Sequence, residues 1–241
     1  MQLDFNKGAP PLYYQIEELL KKKIENEEYV EGDILPSELE LQEFFHVSRI
    51  TVRQAINELV NEGYVKRTRG KGTTVIFNKI EEPLSRIMSF TEEMKMRGYE
   101  PSTRFVKVDI IKANKVIAKN LDINEGEEVY KIQRLRYADN FPMVFFITYL
   151  KKELDLPLDE KEYEGSLYEF LSKNKNIMAV KVKEYFEAVA TDEIISRYLG
   201  VKIGTPTLKR TRLSFDSTGN NLEYSVCYYR AERYKYLVEI G

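Results

Sequence analysis

The sequence predicts an α+β protein of two domains. Three observations point there. The chain has 241 residues, more than one ordinary domain needs, and 43% hydrophobic with 12% aromatic content is enough for two packed cores. The first third shows capped runs with apolar residues at helical spacing, whereas the rest is dominated by alternating, strand-like runs. Within that second part, a set of residues recurs at a constant offset of 78 positions.

The first helix is expected in "PPLYYQIEELLKKKIEN". A proline suits the first turn, and Leu12, Ile16, Leu19, Leu20 and Ile24 make one apolar face. "EGD" ends it. Ser37 with Glu40 forms a capping-box pattern that opens a second helix, with Leu41, Phe44 and Phe45 as its buried side. After the short His46-Val47 connection, Ser48 caps a third helix, Arg49 to Glu62, which Gly63 stops. Val52, Ala55, Ile56 and Leu59 give it one apolar stripe. "YVKRTRGKGTTVIF" then reads as two short strands, Tyr64–Arg67 and Gly72–Phe77, around a Thr-Arg-Gly-Lys turn.

Charge is placed unevenly along this third. Residues 1–46 carry four basic and eleven acidic side chains. Residues 47–73 carry six basic ones (Arg49, Arg53, Lys66, Arg67, Arg69, Lys71) against Glu58 and Glu62. A net charge of -2 overall excludes a protein that coats nucleic acid by bulk charge. The local surplus instead suits docking of one segment. Arg49 and Arg53 lie one turn apart near the start of the third helix, and arginine reads guanine through two parallel hydrogen bonds. Ser48, Thr51 and the first N–H groups of the helix suit phosphate oxygens. Gly70 permits a close backbone approach to a groove, and Arg69 and Lys71 set charge beside it.

"GDILPSELELQEFFHVSRITVRQAINELVNEGYVKRTRGKGTTV" resembles the winged helix-turn-helix of the GntR family of bacterial transcription regulators. The resemblance implies double-stranded operator DNA as a partner, read as an inverted repeat by a homodimer. It places DNA contacts on Arg49, Thr51, Arg53 and Gly70. With the neighbouring caps and wing residues, the candidate DNA-binding set is Ser37, Ser48, Arg49, Thr51, Arg53, Arg69, Gly70, Lys71 and Thr73. Many members have an arginine where this chain has Leu39, so the operator is expected to depart from the common family sequence.

Residues 79–88, "KIEEPLSRIM", with a proline and mixed charge, read as a linker. The expected domains are therefore 1–78 for DNA binding and 89–241 for an effector. "SFTEEMKMRGYEP" predicts a short helix ended by Gly98, and "TRFVKVDIIKA" a strand. Ile117, Leu121, Ile123, Gly126, Lys131, Arg134, Leu135 and Tyr137 then recur as Ile195, Leu199, Val201, Gly204, Lys209, Arg212, Leu213 and Phe215. Each copy reads as strand, helix, glycine turn, strand, hairpin, strand. Two such units predict one antiparallel sheet with helices on a face.

Arg134 and Arg136, two apart on a predicted strand, point to one face. The second copy keeps Arg212 but has Ser214 at the other position. A guanidinium fork fits phosphate or carboxylate, so this pair is the candidate anion clamp. Ser166 opens "SLYE", another capping-box pattern. Glu223 and Tyr229 on the last hairpin offer hydrogen bonds to a polyol.

"SFTEEMKMRGYEPSTR", "VYKIQRLRYADNFPMVFF", "GSLYEFL" and "NLEYSVCYYRAERYKY" resemble the UTRA effector domain, the HutC-type partner of this winged helix, over nearly all of 88–236. The resemblance implies a chorismate-lyase-like fold, effector binding and dimerisation. It implies a repressor of a sugar-uptake or catabolic operon, released by a small anion such as a sugar phosphate. It places anion contacts on Thr91, Arg134, Arg136, Ser166 and Tyr168, and sugar contacts on Glu223 and Tyr229. Phe146 stands where a glutamate is common, which argues against an amino sugar phosphate and leaves a non-sugar carboxylate as the alternative.

Other classes fit less well. The sequence offers no nucleophile–base pair, and its single histidine, His46, and single cysteine, Cys227, make no metal cluster, so no catalytic residue, metal or cofactor is expected. A lyase-like fold does not carry a lyase activity. An architectural DNA-binding protein without a ligand leaves Arg134, Arg136 and Ser166 unexplained. One cysteine, no apolar run long enough for a membrane span and no signal-peptide pattern lead to the expectation of a cytoplasmic protein.

Overall fold

The computed structural model describes residues 3–83 and 87–237. The chain divides into two compact units, residues 1–79 and 80–241.

The first unit contains helices α1 (Leu12–Glu25), α2 (Glu38–Phe45) and α3 (Arg49–Asn61), then strands β1 (Val65–Thr68) and β2 (Gly72–Val75). Ile16, Leu20 and Ile24 of α1 pack on Val52, Ala55, Ile56 and Leu59 of α3, with Leu41 and Phe45 of α2 closing the core. Burial of each such side chain contributes roughly 1.5–3 kcal/mol. Phe44 departs from expectation: it is 68% exposed. Leu41 and Phe45 are four apart and share the inward face, which leaves Phe44 about 100° off it. The α2–α3 turn is short because His46 adopts a left-handed backbone (φ 54°) and caps α2, a conformation open to histidine at modest cost. β1 and β2 pair antiparallel from Val65↔Val75 to Thr68↔Gly72. Lys71 N–H closes the turn on the Thr68 carbonyl at 3.0 Å, with Gly70 at φ 79°.

The second unit begins with β3 (Ile80–Pro83) and α4 (Phe90–Met96). Next come β4 (Pro101–Lys112), α5 (Lys115–Leu121), β5 (Glu128–Ala138), β6 (Phe141–Lys151) and α6 (Leu167–Lys175). The chain finishes with β7 (Lys181–Ala190), α7 (Glu193–Leu199), β8 (Pro206–Phe215), β9 (Asn221–Arg230) and β10 (Tyr234–Leu237). One antiparallel sheet runs β4-β5-β6-β9-β8-β7. The 78-residue offset maps α5 onto α7 and β4-β5-β6 onto β7-β8-β9, so the halves are mirrored in strand order about the β6–β9 pair. Each three-stranded copy alone would expose two strand edges. Joining the two third strands removes both inner edges.

Two expectations need correction. Part of the expected linker is strand: Ile80–Pro83 pairs in parallel with Tyr234–Leu237, and Ile80 is buried with Met94, Tyr229 and Tyr234. An apolar residue with a pairing partner makes order cheaper there than a solvated linker. Residues 84–86 of that segment lie outside the described residues. Helices also cover both sheet faces rather than one. The repeat helices α5 and α7 pack on Val129, Leu135, Phe145 and Tyr224. The unrepeated α4 and α6 pack on the opposite face, against Tyr130, Ile132, Val144 and Cys227.

Candidate nucleic-acid interface and anion site

Ser37 caps α2 in a reciprocal box with Glu40, and Ser48 caps α3, its hydroxyl 3.2 Å from the Thr51 N–H and 2.8 Å from the Thr51 hydroxyl. These bonds fix the starts of α2 and α3. Arg49 and Arg53 are exposed on that helix, as are Arg69 and Lys71 on the β1–β2 turn, while Thr73 is half-buried on β2. A Cβ added at Gly70 would meet nothing within 4 Å. Its need for glycine is therefore conformational rather than steric. The structure adds two residues to this face. Arg67 on β1 and Glu38 on α2 join Arg49 and Arg53 in one cluster, in which Glu38 pairs with all three guanidiniums at 2.9–3.3 Å. Nothing in local spacing flags Glu38, since its partners lie 11, 15 and 29 residues away.

In the second unit, Arg134 and Arg136 lie side by side on the β5 face covered by α4 and α6. They are 5% and 3% exposed. Both Nη1 groups donate to the Gly165 carbonyl, at 3.3 and 2.6 Å, and Arg136 Nη2 donates to the Thr91 hydroxyl at 2.8 Å. Their rings of contact are Phe146 below Arg134 and Phe90 below Arg136. Among the described residues no carboxylate lies within ion-pair distance of either, and both Nε atoms lack a hydrogen-bond partner. Burial, with Arg134 beside it, pushes the Arg136 guanidinium down to about 9. Burial likewise lowers Arg134, against the pull of Glu223.

The repeat makes the asymmetry explicit. Arg212 and Arg210 occupy the corresponding face of β8, and Glu184 on β7 pairs with them at 2.5 and 3.7 Å. Burial opposes the Arg212 charge, yet Tyr168, Glu184 and Glu223 outweigh it and raise its proton affinity. Glu184 stands opposite Arg212 in the β7–β8 register. Seventy-eight residues earlier, the residue opposite Arg134 is Val106. One copy of the duplicated unit thus has a counter-ion and the other has valine.

Ser166 caps α6 by accepting from the Glu169 N–H at 3.3 Å. The expected box is only half formed, because the Glu169 carboxylate goes to Lys173 at 2.5 Å instead. Tyr168, on the first turn of α6, donates to Glu223 at 2.7 Å; burial, chiefly, and the Glu223 charge raise its pKa. Ser214 and Ser225 also donate to that carboxylate. Thr91, Arg134, Arg136, Ser166, Tyr168 and Glu223 line one small cavity of about 40 Å³. Its rim residues Thr91, Ser166, Tyr168 and Glu223 also line an adjoining cleft of about 410 Å³. Tyr229 does not join them: it is buried behind, with Arg210 donating to its hydroxyl and Phe146 against its ring. Arg210 and Glu184 escaped the sequence reading. The parity of Arg210 with Arg212, and the 78-residue offset applied to Val106, were the available signals. Cys227 is buried beside this cavity, and burial pushes its thiol up to about 12. Among the described residues no His/Cys/Asp/Glu group is arranged for a metal, and no helix is long and apolar enough to cross a membrane.

Comparison with known proteins agrees with this division. The model for bacterial regulatory proteins, gntR family, matches residues 12–75, and the UTRA domain matches residues 96–235. The HTH-type transcriptional repressor NagR of Bacillus subtilis (strain 168) is 35% identical over 236 residues, 98% of this chain and 97% of its own. The mannosyl-D-glycerate transport/metabolism system repressor MngR of Escherichia coli (strain K12) is 28% identical over 95% of both chains. The crystal structure of PhnF from Mycobacterium smegmatis superposes with TM-score 0.63 at 26% identity, covering 95% of this chain and all of that one.

Proposed function

Because this chain belongs to the gntR family of bacterial regulatory proteins, in its HutC-type form with a UTRA domain, we propose that it is a homodimeric repressor of a sugar-related operon, released from an inverted-repeat operator by a small anion. Relatives support the sign and the setting: NagR and MngR are both named repressors, and MngR is named for a sugar-derived acid. A sugar phosphate is the effector this reading favours.

One observation carries the effector half. Two arginines are buried together on a small cavity with no carboxylate at ion-pair distance among the described residues, Glu223 acting on Arg134 only from farther off, where the duplicated half of the same sheet supplies Glu184 in direct contact. Leaving a buried charge uncompensated costs roughly 3–5 kcal/mol. A bound anion removes that cost and receives two guanidinium forks. Hydroxyls of Thr91, Ser166 and Tyr168 surround the same space, and Glu223 at its rim accepts from a polyol. Phe146 puts an aromatic ring against Arg134, with no carboxylate there to hold an ammonium. For the anion to release DNA it must bind the DNA-free and DNA-bound states with different affinity.

Fluorescence anisotropy on duplexes from the gene's own upstream region tests this, with a panel of sugar phosphates and carboxylates. The expected result is release by one anion, lost in Arg134→Ala while DNA affinity stays. Release that persists undiminished in Arg134→Ala would refute the clamp.

A further inference from the structure

One carboxylate stands at the centre of the arginines proposed to meet DNA. Glu38 is the first residue of α2, and its side chain is 20% exposed, against 64% for Arg49 and 52% for Arg53. Its Oε2 accepts from Arg49 Nε and from Arg53 Nε and Nη2, all at 3.3 Å, and its Oε1 accepts from Arg67 Nη2 at 2.9 Å. Arg67 Nη2 also reaches the Arg53 carbonyl at 3.5 Å. A single side chain therefore ties the two helices of the motif and the first wing strand together.

We infer that Glu38 is a positioning residue for sequence readout: it holds the guanidiniums of Arg49 and Arg53 in place for base edges and removes one unit of charge from the attraction to phosphate. This rests on the DNA-regulator reading above. The geometry supports it in two ways. The bond to Arg49 uses Nε, so neither of its terminal amino groups, the fork that suits guanine O6 and N7, is hydrogen-bonded to the carboxylate, whereas Arg53 keeps only Nη1 clear of it. The long arginine side chains are also partly immobilised before DNA arrives, which lowers the ordering cost on binding. Random DNA gains nothing from that order, because phosphate attraction needs charge and little geometry. Three guanidiniums on one carboxylate leave the cluster at +2, so the negative charge weakens phosphate attraction without abolishing it.

An ordinary surface ion pair makes a different prediction. Exposed pairs contribute little to stability, and their loss leaves recognition alone. The test uses the full-length protein. A duplex enriched by the wild-type protein from a random pool serves as operator, and a scrambled duplex of the same composition as competitor. Failure of the wild type to enrich any sequence overturns the regulator reading, and this inference with it. Given an operator, Glu38→Gln removes the charge at nearly constant size. It is expected to bind scrambled DNA more tightly, with a slope of log affinity against log salt steeper by about one. Its operator-to-scrambled ratio should fall about tenfold. Glu38→Asp keeps the charge but is one methylene too short to reach three guanidiniums. It should lose the ratio and keep the salt slope. An unchanged ratio in both variants, with or without a lowered melting temperature, reduces Glu38 to a structural tie and overturns the inference, while operator binding by the wild type leaves the regulator reading standing. If Glu38→Gln folds poorly, the ratio measured for Glu38→Asp decides alone.

Discussion

Val106→Glu puts a carboxylate where the duplicated half of the sheet already has one. Val106 lies opposite Arg134 as Glu184 lies opposite Arg212, and it packs on the same side of the sheet as Tyr130 and Ile132. The new glutamate should pair with Arg134 as Glu184 pairs with Arg212. Compensating a buried charge is worth about 3 kcal/mol, the low end of what breaking such a pair costs. Losing a half-buried valine costs about 1 kcal/mol. The net gain of about 2 kcal/mol corresponds to a rise of roughly 4–8 °C in melting temperature for a domain of this size. Anion binding should move the opposite way. A phosphate must now displace an internal carboxylate, and each charge-assisted hydrogen bond forgone is worth about 1.5–3 kcal/mol, so affinity should fall at least about tenfold. Thermal melts with and without the releasing anion read both effects. The wild type should gain about 2.7 kcal/mol at a hundredfold excess over Kd, and the variant should start higher and gain little. A variant that melts lower than wild type and keeps the full anion-induced rise would show that Arg134 needs no counter-ion, and the argument from the missing carboxylate would fail.

Arg49→Ala and Arg53→Ala should each cost about 1–3 kcal/mol on the operator, with a much smaller loss on scrambled DNA; anisotropy on both duplexes checks this, and equal losses on the two would assign these residues to phosphate. Gly70→Ala meets no steric obstacle but must hold φ near 79°, at a cost of about 1–2 kcal/mol. Circular dichroism should show an intact fold, and DNA binding should weaken as the wing tip shifts. Cys227, with its thiol pushed up to about 12 chiefly by burial, stays protonated through pH 8.5. Iodoacetamide should leave it unmodified in the native protein at that pH and alkylate it in guanidinium chloride, as mass spectrometry will read. Alkylation of the native protein would mean that the site opens to solvent.

Much of the local structure was legible because its causes are local. Ser37 with Glu40 and Ser48 before Thr51 set helix starts through bonds spanning three residues. Apolar spacing gave the faces of α1 and α3, and Phe44 misled only because an aromatic beside Phe45 is ambiguous by one position. The duplication was legible because copies must keep their apolar pattern to fold at all. The two buried arginines, Arg134 and Arg136, were visible as residues of equal parity on one strand. Tyr229 was expected beside Glu223 from their shared hairpin and from the resemblance, yet it does not line the cavity and its hydroxyl accepts from Arg210. The half-formed box at Ser166 shows the same limit: spacing permitted a bond between Glu169 and the helix start, and Lys173 competed successfully for the carboxylate.

The sequence by itself determined the order of elements, the caps, the repeat, the family to which the chain belongs and which residue types are candidates for DNA and anion. These follow from bonds and periodicities a few residues long, or from copying. Tertiary structure decided which charges are compensated. Glu184 neutralises Arg212 across a strand pair 28 residues apart, Val106 leaves Arg134 without such a partner, and Glu38 gathers arginines from two elements. Charge compensation depends on distance in space and on exclusion of water, and neither is encoded in the spacing of residues along a chain.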